Sequence, residues 1–457
     1  MEKPIRAKEL QSFGSSVYIK FIVPSLIGIL LFMIPVKYNG GMTIPVAWLG
    51  KQIETLLSGS LPAIVTVLMG VALAGTIVAK LLKPAWIRNS VYFSKLLDVG
   101  LISIMSRVLG FVFGLITLLQ WGPEWIWSEN TGGLLLTGLL PLLFAVFLFA
   151  GLFLPLLLDF GLLELFGTLF SRIMRPVFKL PGRSSIDCAA SWVGDGTVGV
   201  LLTNKQYEDG YYTEREAAVI STTFSVVSLT FSIVVLAEVG LEHMLLPYYL
   251  TIVVTGLVLA FVMPRIPPLS RKKDSYYKEL EDRGETAAPQ GVSLTAWGMN
   301  RALAKASANR SGLQGFLKGG FQNVLDLWLG VIPVVMTLGT ISLIVAEYTP
   351  FFKWIAMPFV PVLTFLQVPE AAEAAQTMLI GFADMFLPAI LGSGIESEMT
   401  RFVIACLSVT QLIYMSEVGG LLLASKLPIR MKDLVLIFLL RTIIGLPIIV
   451  GIAHFLF

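Results

Sequence analysis

The chain reads as an all-α polytopic membrane protein: about nine transmembrane helices plus two re-entrant hairpins, with its later part arranged as two inverted repeats. Three observations predict this. Hydrophobic residues make up 56% of the 457 and charged residues only 14%, where a soluble domain carries about 25% charge. Mean hydropathy is +0.81, and the apolar residues are gathered into runs that match the roughly 20 residues a bilayer core requires per helix. Two further apolar runs are each broken at the centre by an acid, which suggests chain that enters the membrane and turns back.

Taken in order, spans are expected near 20–36, 60–80, 97–119, 132–158, 216–240, 245–264, 324–346, 399–424 and 433–455. Lys and Arg set the orientation. The N-terminal arm is basic (Lys3, Arg6, Lys8), as are the connection with Lys80, Lys83, Arg88 and Lys95 and the segment with Arg172, Arg175, Lys179 and Arg183. The connection after the sixth span (Arg265, Arg271, Lys272, Lys273) and the last loop (Lys426, Arg430, Lys432) are basic too. The connections between them carry few bases. The alternation puts the N-terminus in the cytoplasm and the C-terminus outside, provided that 186–204 returns to the side it came from. The N-terminal apolar run lacks a small-residue cleavage site and reads as an anchor rather than a signal peptide.

The first broken run is Ile186–Asn204, I-D-C-A-A-S-W-V-G-D-G-T-V-G-V-L-L-T-N, with Asp195 between Gly194 and Gly196. The second, 372–395, contains F-A-D-M-F-L-P-A-I-L-G-S-G around Asp384. From about 132 the order of features is long span, proline-bearing segment, broken run with an acid, polar-spotted span, final span. From about 324 the same order recurs. Each copy holds three full crossings, an odd number, so the second copy sits upside down relative to the first. Inverted repeats with broken segments at the midplane mark secondary transporters, because two near-equivalent halves give two near-equivalent states. The expected organisation is a three-span scaffold (1–130), a first repeat (131–264, hairpin 186–204), a cytoplasmic linker (265–318) and a second, inverted repeat (319–457, hairpin 372–395). Part of 292–310 is read as a helix on the membrane surface.

Residues 191–225, S-W-V-G-D-G-T-V-G-V-L-L-T-N-K-Q-Y-E-D-G-Y-Y-T-E-R-E-A-A-V-I-S-T-T-F-S, resemble the YjiH-type bacterial membrane family. That family lies within the Gate-domain group, with the concentrative nucleoside transporters, the membrane part of the ferrous-iron transporter B and the spore maturation proteins A and B. The resemblance covers about 130 to 457. It implies two Gate-type repeats, two opposed hairpins and two partly unwound helices around a central site, in a bacterial inner (cytoplasmic) membrane. Nucleoside transporters carry a Gln-Thr-Glu tip where this chain has Gly194, Asp195, Gly196 and Thr197, which points away from a nucleoside as the solute.

Candidate site residues follow from the cost of polar groups at membrane depth. Asp195, Gly194, Gly196, Thr197 and Ser191 belong to the first hairpin and Asp384 to the second. Ser225 and Ser228 share a helical face with Ser221 and Ser232. Gln411, Tyr414 and Glu417 occupy the corresponding span of the second repeat. Each acid has a bland alternative: Asp195 and Asp384 as hairpin caps, and Glu417 as the ion-pair partner of Arg441 rather than a proton carrier. Arg107 calls for a partner inside the protein, and Asp326 reads as a helix N-cap. The expected function is ion-gradient-coupled transport of a small polar organic solute, with Na+ or H+ as the coupling ion and no other cofactor. The alternative is a non-transporting structural or regulatory membrane subunit of the spore-maturation type. No nucleophile–base pair, metal-ligand cluster or phosphate loop suggests an enzyme. The expected partners are the lipid bilayer, the solute and a second copy in a homodimer, with no nucleic acid.

Overall fold

Apolar length decides most of the architecture. The computed structural model describes residues 11–34, 36–38, 41–193, 196–224, 229–280, 292–309 and 312–457. Six helical stretches among them are long and apolar enough to cross a membrane: Ser15–Met33, Leu61–Leu81, Leu134–Leu158, Glu242–Arg271, Gln314–Tyr348 and Met431–Leu456. The apolar helix Leu101–Leu119 accompanies them. The two remaining expected spans are interrupted and are described below.

The N-terminal part comprises α1 (Ser15–Met33), a small antiparallel pair β1 (Val36–Tyr38) and β2 (Gly41–Thr43), α2 (Pro45–Leu57), α3 (Leu61–Leu81) and α4 (Leu101–Leu119). Arg107 on α4 is buried and finds its partners on α3 and on the segment that precedes α4. It donates to the Thr76 hydroxyl and, at 2.8 Å, to the Leu96 carbonyl. Asp98, its nearest acid in sequence, pairs with Lys80 instead.

Helix α5 (Leu140–Leu158) carries no polar side chain and is buried along most of its length. A helix that is apolar all round belongs at the centre, and α1, α2 and α3 pack around α5. So does the long helix formed by α13 (Gly312–Asp326) and α14 (Ile332–Tyr348), which a single π-turn joins. Asp326 therefore lies mid-helix. It is not the N-cap expected of it, because the helix begins fourteen residues earlier, at Gly312.

After α5 come α6 (Leu162–Ile173), then the first hairpin, α7 (Ser184–Val193) and α8 (Gly196–Glu208). The first interrupted span follows as α9 (Glu214–Thr223) and α10 (Leu229–Glu238), then α11 (Leu245–Val262). Helix α12 (Leu294–Ala308) lies against α6. The second hairpin is α15 (Ala371–Ile380) and α16 (Leu387–Gly392). The second interrupted span is α17 (Glu398–Gln411) and α18 (Val418–Ala424), and α19 (Met431–Leu456) ends the chain.

The two halves interlock. Hairpin arm α8 packs on α18, the far half of the second interrupted span. Hairpin arm α16 packs on α10, the far half of the first. Each hairpin thus touches both halves of the chain.

Candidate functional site at the crossing of two broken helices

Helix α9 starts firmly and stops early. Thr213 and Glu216 form a capping box, each side chain accepting from the other's backbone N–H at 3.2 and 3.0 Å. The helix ends at Thr223. Helix α17 likewise starts on a cap, with the Ser397 hydroxyl accepting from Thr400 N, and stops at Gln411. Leu412 then adopts φ +63°, a left-handed conformation that costs a non-glycine residue roughly 1–2 kcal/mol. Both stops fall inside apolar chain, where a free helix end needs a partner.

One side chain partners both. Arg441, fully buried on α19, donates to Thr410 O from Nε at 2.9 Å and from a terminal nitrogen at 2.6 Å. Its other terminal nitrogen reaches Thr222 O at 3.2 Å. The guanidinium therefore joins the C-terminal ends of α9 and α17. Each helix end carries roughly half a negative charge, so two of them balance about one arginine. This answers the expected Glu417–Arg441 pairing: the arginine is bound to backbone carbonyls. Glu417 lies half-buried just ahead of α18.

The second hairpin is zipped to the unwound segment that follows α17. Met415 N donates to Phe382 O at 2.8 Å and Ser416 N to Ala383 O at 2.9 Å. Asp384, at the turn of this hairpin, accepts from Ser416 Oγ at 2.7 Å and from Phe386 N at 2.8 Å. Gln411 is 1% exposed. Its amide nitrogen donates to Met378 O and to Thr442 Oγ1. Its amide oxygen lies 2.6 Å from where a Cβ on Gly381 would be, so glycine is what lets this hairpin close on α17.

The structure thus gathers Asp384 and Gln411 around the second hairpin, together with Ser416, Thr410, Thr442 and Arg441. Tyr414 is buried in the same unwound segment. Ser191 and Thr197 are buried on facing arms of the first hairpin. Those arms touch: a Cβ on Gly199 would lie 2.5 Å from Ser191 Cβ. Gly196 opens α8. Asp195, Gly194, Ser225 and Ser228 lie outside the described residues. Of the remaining hydroxyl stripe, Ser221 and Thr222 are spent on the carbonyls of Ala217 and Ala218. Two buried acceptors at the crossing have no hydrogen-bond partner: Thr223 Oγ1 and Gln411 Oε1. Leaving such an atom unpaired costs about 1–3 kcal/mol.

Sequence reasoning passed over a second cluster. Asp187, 1% exposed on α7, accepts from Gln206 Nε2 at 2.5 Å, Tyr212 Oη at 2.9 Å and Thr203 Oγ1 at 3.2 Å. Gln206 in turn accepts from Arg183 Nε at 2.7 Å. The signal was present in the spacing. Arg183 and Asp187 are four residues apart and Thr203 and Gln206 three apart, which puts each pair on one helical face.

A family model described as Gate, nucleoside recognition, matches residues 140–242, which hold the first hairpin and the first broken helix. An uncharacterized protein of Alkalihalophilus pseudofirmus (strain ATCC BAA-2126 / JCM 17055 / OF4) is 52% identical over 439 residues, covering 96% of this chain and 95% of its own.

The chain belongs to the Gate-domain group.

It is a multi-pass membrane protein of that group, and its Gate domain contains the Asp187 cluster and the Thr222–Thr223 end of the crossing. Among solved structures, a variant of CNTnw in an outward-facing state is similar over 96% of this chain and 98% of its own, at 12% identity and a TM-score of 0.34. That superposition is loose.

Proposed function

We propose that this Gate-domain protein is a secondary transporter. It carries a small polar organic solute by alternating access and draws on an ion gradient, Na+ or H+. The observation that carries the reading is the crossing itself. Two helices stop within apolar chain, one buried arginine holds both ends, and two buried acceptors beside the ends lack partners. Broken helices whose ends face one another at the centre of a membrane chain are where solutes and coupling ions bind. Asp384, Gln411 and Tyr414 form one side of the site. Ser191, Thr197 and Gly196 of the first hairpin and Glu417 at the start of α18 are assigned to the same site, and the sequence assigns Gly194, Asp195, Ser225 and Ser228 to it as well.

The interlocked hairpins supply the mechanism. Each touches both halves of the chain, so the hairpins and half-helices move as one bundle against the N-terminal three-span scaffold and a partner copy. The N-terminus lies in the cytoplasm, the C-terminus outside, and the membrane is the bacterial inner membrane. The test is uptake into proteoliposomes under imposed Na+ and pH gradients, with nucleosides, amino acids and dipeptides as the panel. Gradient-dependent flux that Asp195→Asn abolishes in a folded protein supports the reading. Failure of every solute under both gradients, in liposomes of verified orientation, overturns it.

A further inference from the structure

The Asp187 cluster lies apart from the crossing and is built differently. There a cation is held by carbonyls; here two carboxylates share one cation. Glu164 on α6 is 7% exposed and Arg183 is 4% exposed. A terminal nitrogen of Arg183 lies 3.8 Å from Glu164 Oε1. Glu164 Oε2 is buried with no hydrogen-bond partner. A continuous polar chain therefore runs Glu164, Arg183, Gln206, Asp187, Tyr212. It contains two acids and one base, Lys305 acts on Glu164 from the cleft, and one carboxylate oxygen, Glu164 Oε2, has no donor. A proton on that oxygen supplies the missing donor.

The chain opens to solvent. Arg183 and Gln206 line a cleft of ≈ 150 Å³ that is also lined by Asp159, Asp209, Tyr211 and Lys305. The Arg183 guanidinium stacks 3.6 Å above the Tyr211 ring. Tyr211 Oη accepts from Lys305 Nζ at 3.0 Å, which brings α12 over the mouth. Water and protons thus reach Arg183 and Gln206 from the face on which the linker lies.

The other charged groups around Asp187 are accounted for. On its own helix the neighbour is Cys188, a thiol. On α9, Glu216 pairs with Arg175 at 2.9 Å. Beyond α8, Asp209 pairs with Lys278 at 3.8 Å. At the end of α5, burial pushes the Asp159 carboxyl up from its ordinary value. Lys305 is held above its own: burial alone would lower it, but Glu164, Tyr211 and Asp159 outweigh that. Among the described residues Lys305 forms no ion pair, and it donates to the tyrosine.

We propose that Glu164, Arg183 and Asp187 form a proton-binding cluster at the root of the first hairpin, filled from the cleft through Arg183 and Gln206. Ionised, Asp187 holds three donors and ties α7 to α8 and to Tyr212. A proton on Asp187 displaces one of those donors, so the tie between the arms loosens; a proton on Glu164 gives its unpaired Oε2 a donor and leaves the tie in place. As the coupling-ion site of a transporter, the cluster rests on the function proposed above; as a proton site, it does not.

The test is infrared difference spectroscopy of the purified full chain in nanodiscs, titrated from acid to alkaline pH. The wild type is expected to show a buried protonated-carboxyl stretch that titrates, and Glu164→Gln or Asp187→Asn is expected to remove it. A wild type with no titrating band overturns the proposal, as does a band that survives both substitutions. If Asp187→Asn does not fold, Tyr212→Phe takes its place, because it removes a donor from the same carboxylate. A band unmoved in both Tyr212→Phe and Glu164→Gln then overturns the assignment. Flux on the same preparation separates the two claims. A titrating band without flux keeps the cluster and removes the transporter, and flux without a band does the reverse.

Discussion

The two hairpins of this protein each precede a broken helix and are held by different physics. The second is fixed at its turn by two backbone bonds to the unwound segment, and Asp384 adds a hydroxyl and one backbone N–H. The first is fixed at its root by a buried carboxylate, Asp187, that gathers Gln206, Tyr212 and Thr203. A backbone zipper is indifferent to pH and to side-chain identity. A buried charge is sensitive to both. The difference teaches that two like elements need not be controlled alike.

The largest effect expected from this contrast lies in the acids. Asp187→Ala leaves Gln206 Nε2 and Tyr212 without their acceptor, while Thr203 keeps the Gly199 carbonyl, and unbalances Arg183, a loss of about 3–5 kcal/mol for a broken buried charge cluster. Asp384→Ala removes two bonds while the zipper persists, a loss of about 1–2 kcal/mol. Thermal unfolding of the two variants in one detergent checks the order, and an Asp384→Ala variant that melts as low as Asp187→Ala breaks the comparison.

Next comes the device the two broken helices share. Arg441→Met frees the carbonyls of Thr222 and Thr410 at once, about 2–4 kcal/mol for two unsatisfied buried groups. Arg441→Lys keeps the charge but loses the planar fork that spans both ends, so its melting point should fall between those of wild type and Arg441→Met. Identical melting of the lysine variant and wild type would show that charge alone suffices.

The smallest effects separate the hairpins at their glycines. Gly199→Ala drives a methyl against Ser191 Cβ, which cannot swing aside, at about 1–3 kcal/mol for overpacking. Gly381→Ala meets the Gln411 amide oxygen, a side-chain end held by two hydrogen bonds yet more movable than a Cβ, so it should cost less than Gly199→Ala, about 1 kcal/mol. Equal shifts in the two variants would mean that the arms of the first hairpin yield more readily than their packing suggests.

Much of the fold was legible because bilayer thickness leaves so direct a mark on apolar length. The membrane class, the two broken runs and the connection to the Gate-domain group could all be read from residues. The stop at Leu412 could not. Leu412-Ile413-Tyr414-Met415-Ser416 has no glycine or proline and is compatible with a helix; the helix yields because Phe382 and Ala383, thirty residues earlier, compete for its backbone. Arg441 drew attention as a buried charge, but its partners are carbonyls, which every residue has and no sequence distinguishes. Asp187 was hidden because its acceptor role depends on Gln206 and Tyr212, whose positions only the hairpin turn brings near. Among the described residues of the first hairpin, the acid with most partners is Asp187, eight residues before Asp195.

The crossed seating of the hairpins has a consequence for heredity. Arm α8 fits the face of α18, and arm α16 fits the face of α10. A lesion on one arm is therefore mended across the chain's midpoint as well as beside itself. Second-site suppressors of a substitution on the α18-facing side of α8 are expected in Val418–Ala424 as well as within the hairpin, and those of a substitution in Leu387–Gly392 in Leu229–Glu238 as well as in α17. The two halves can drift in sequence until little identity remains, as long as they drift in step.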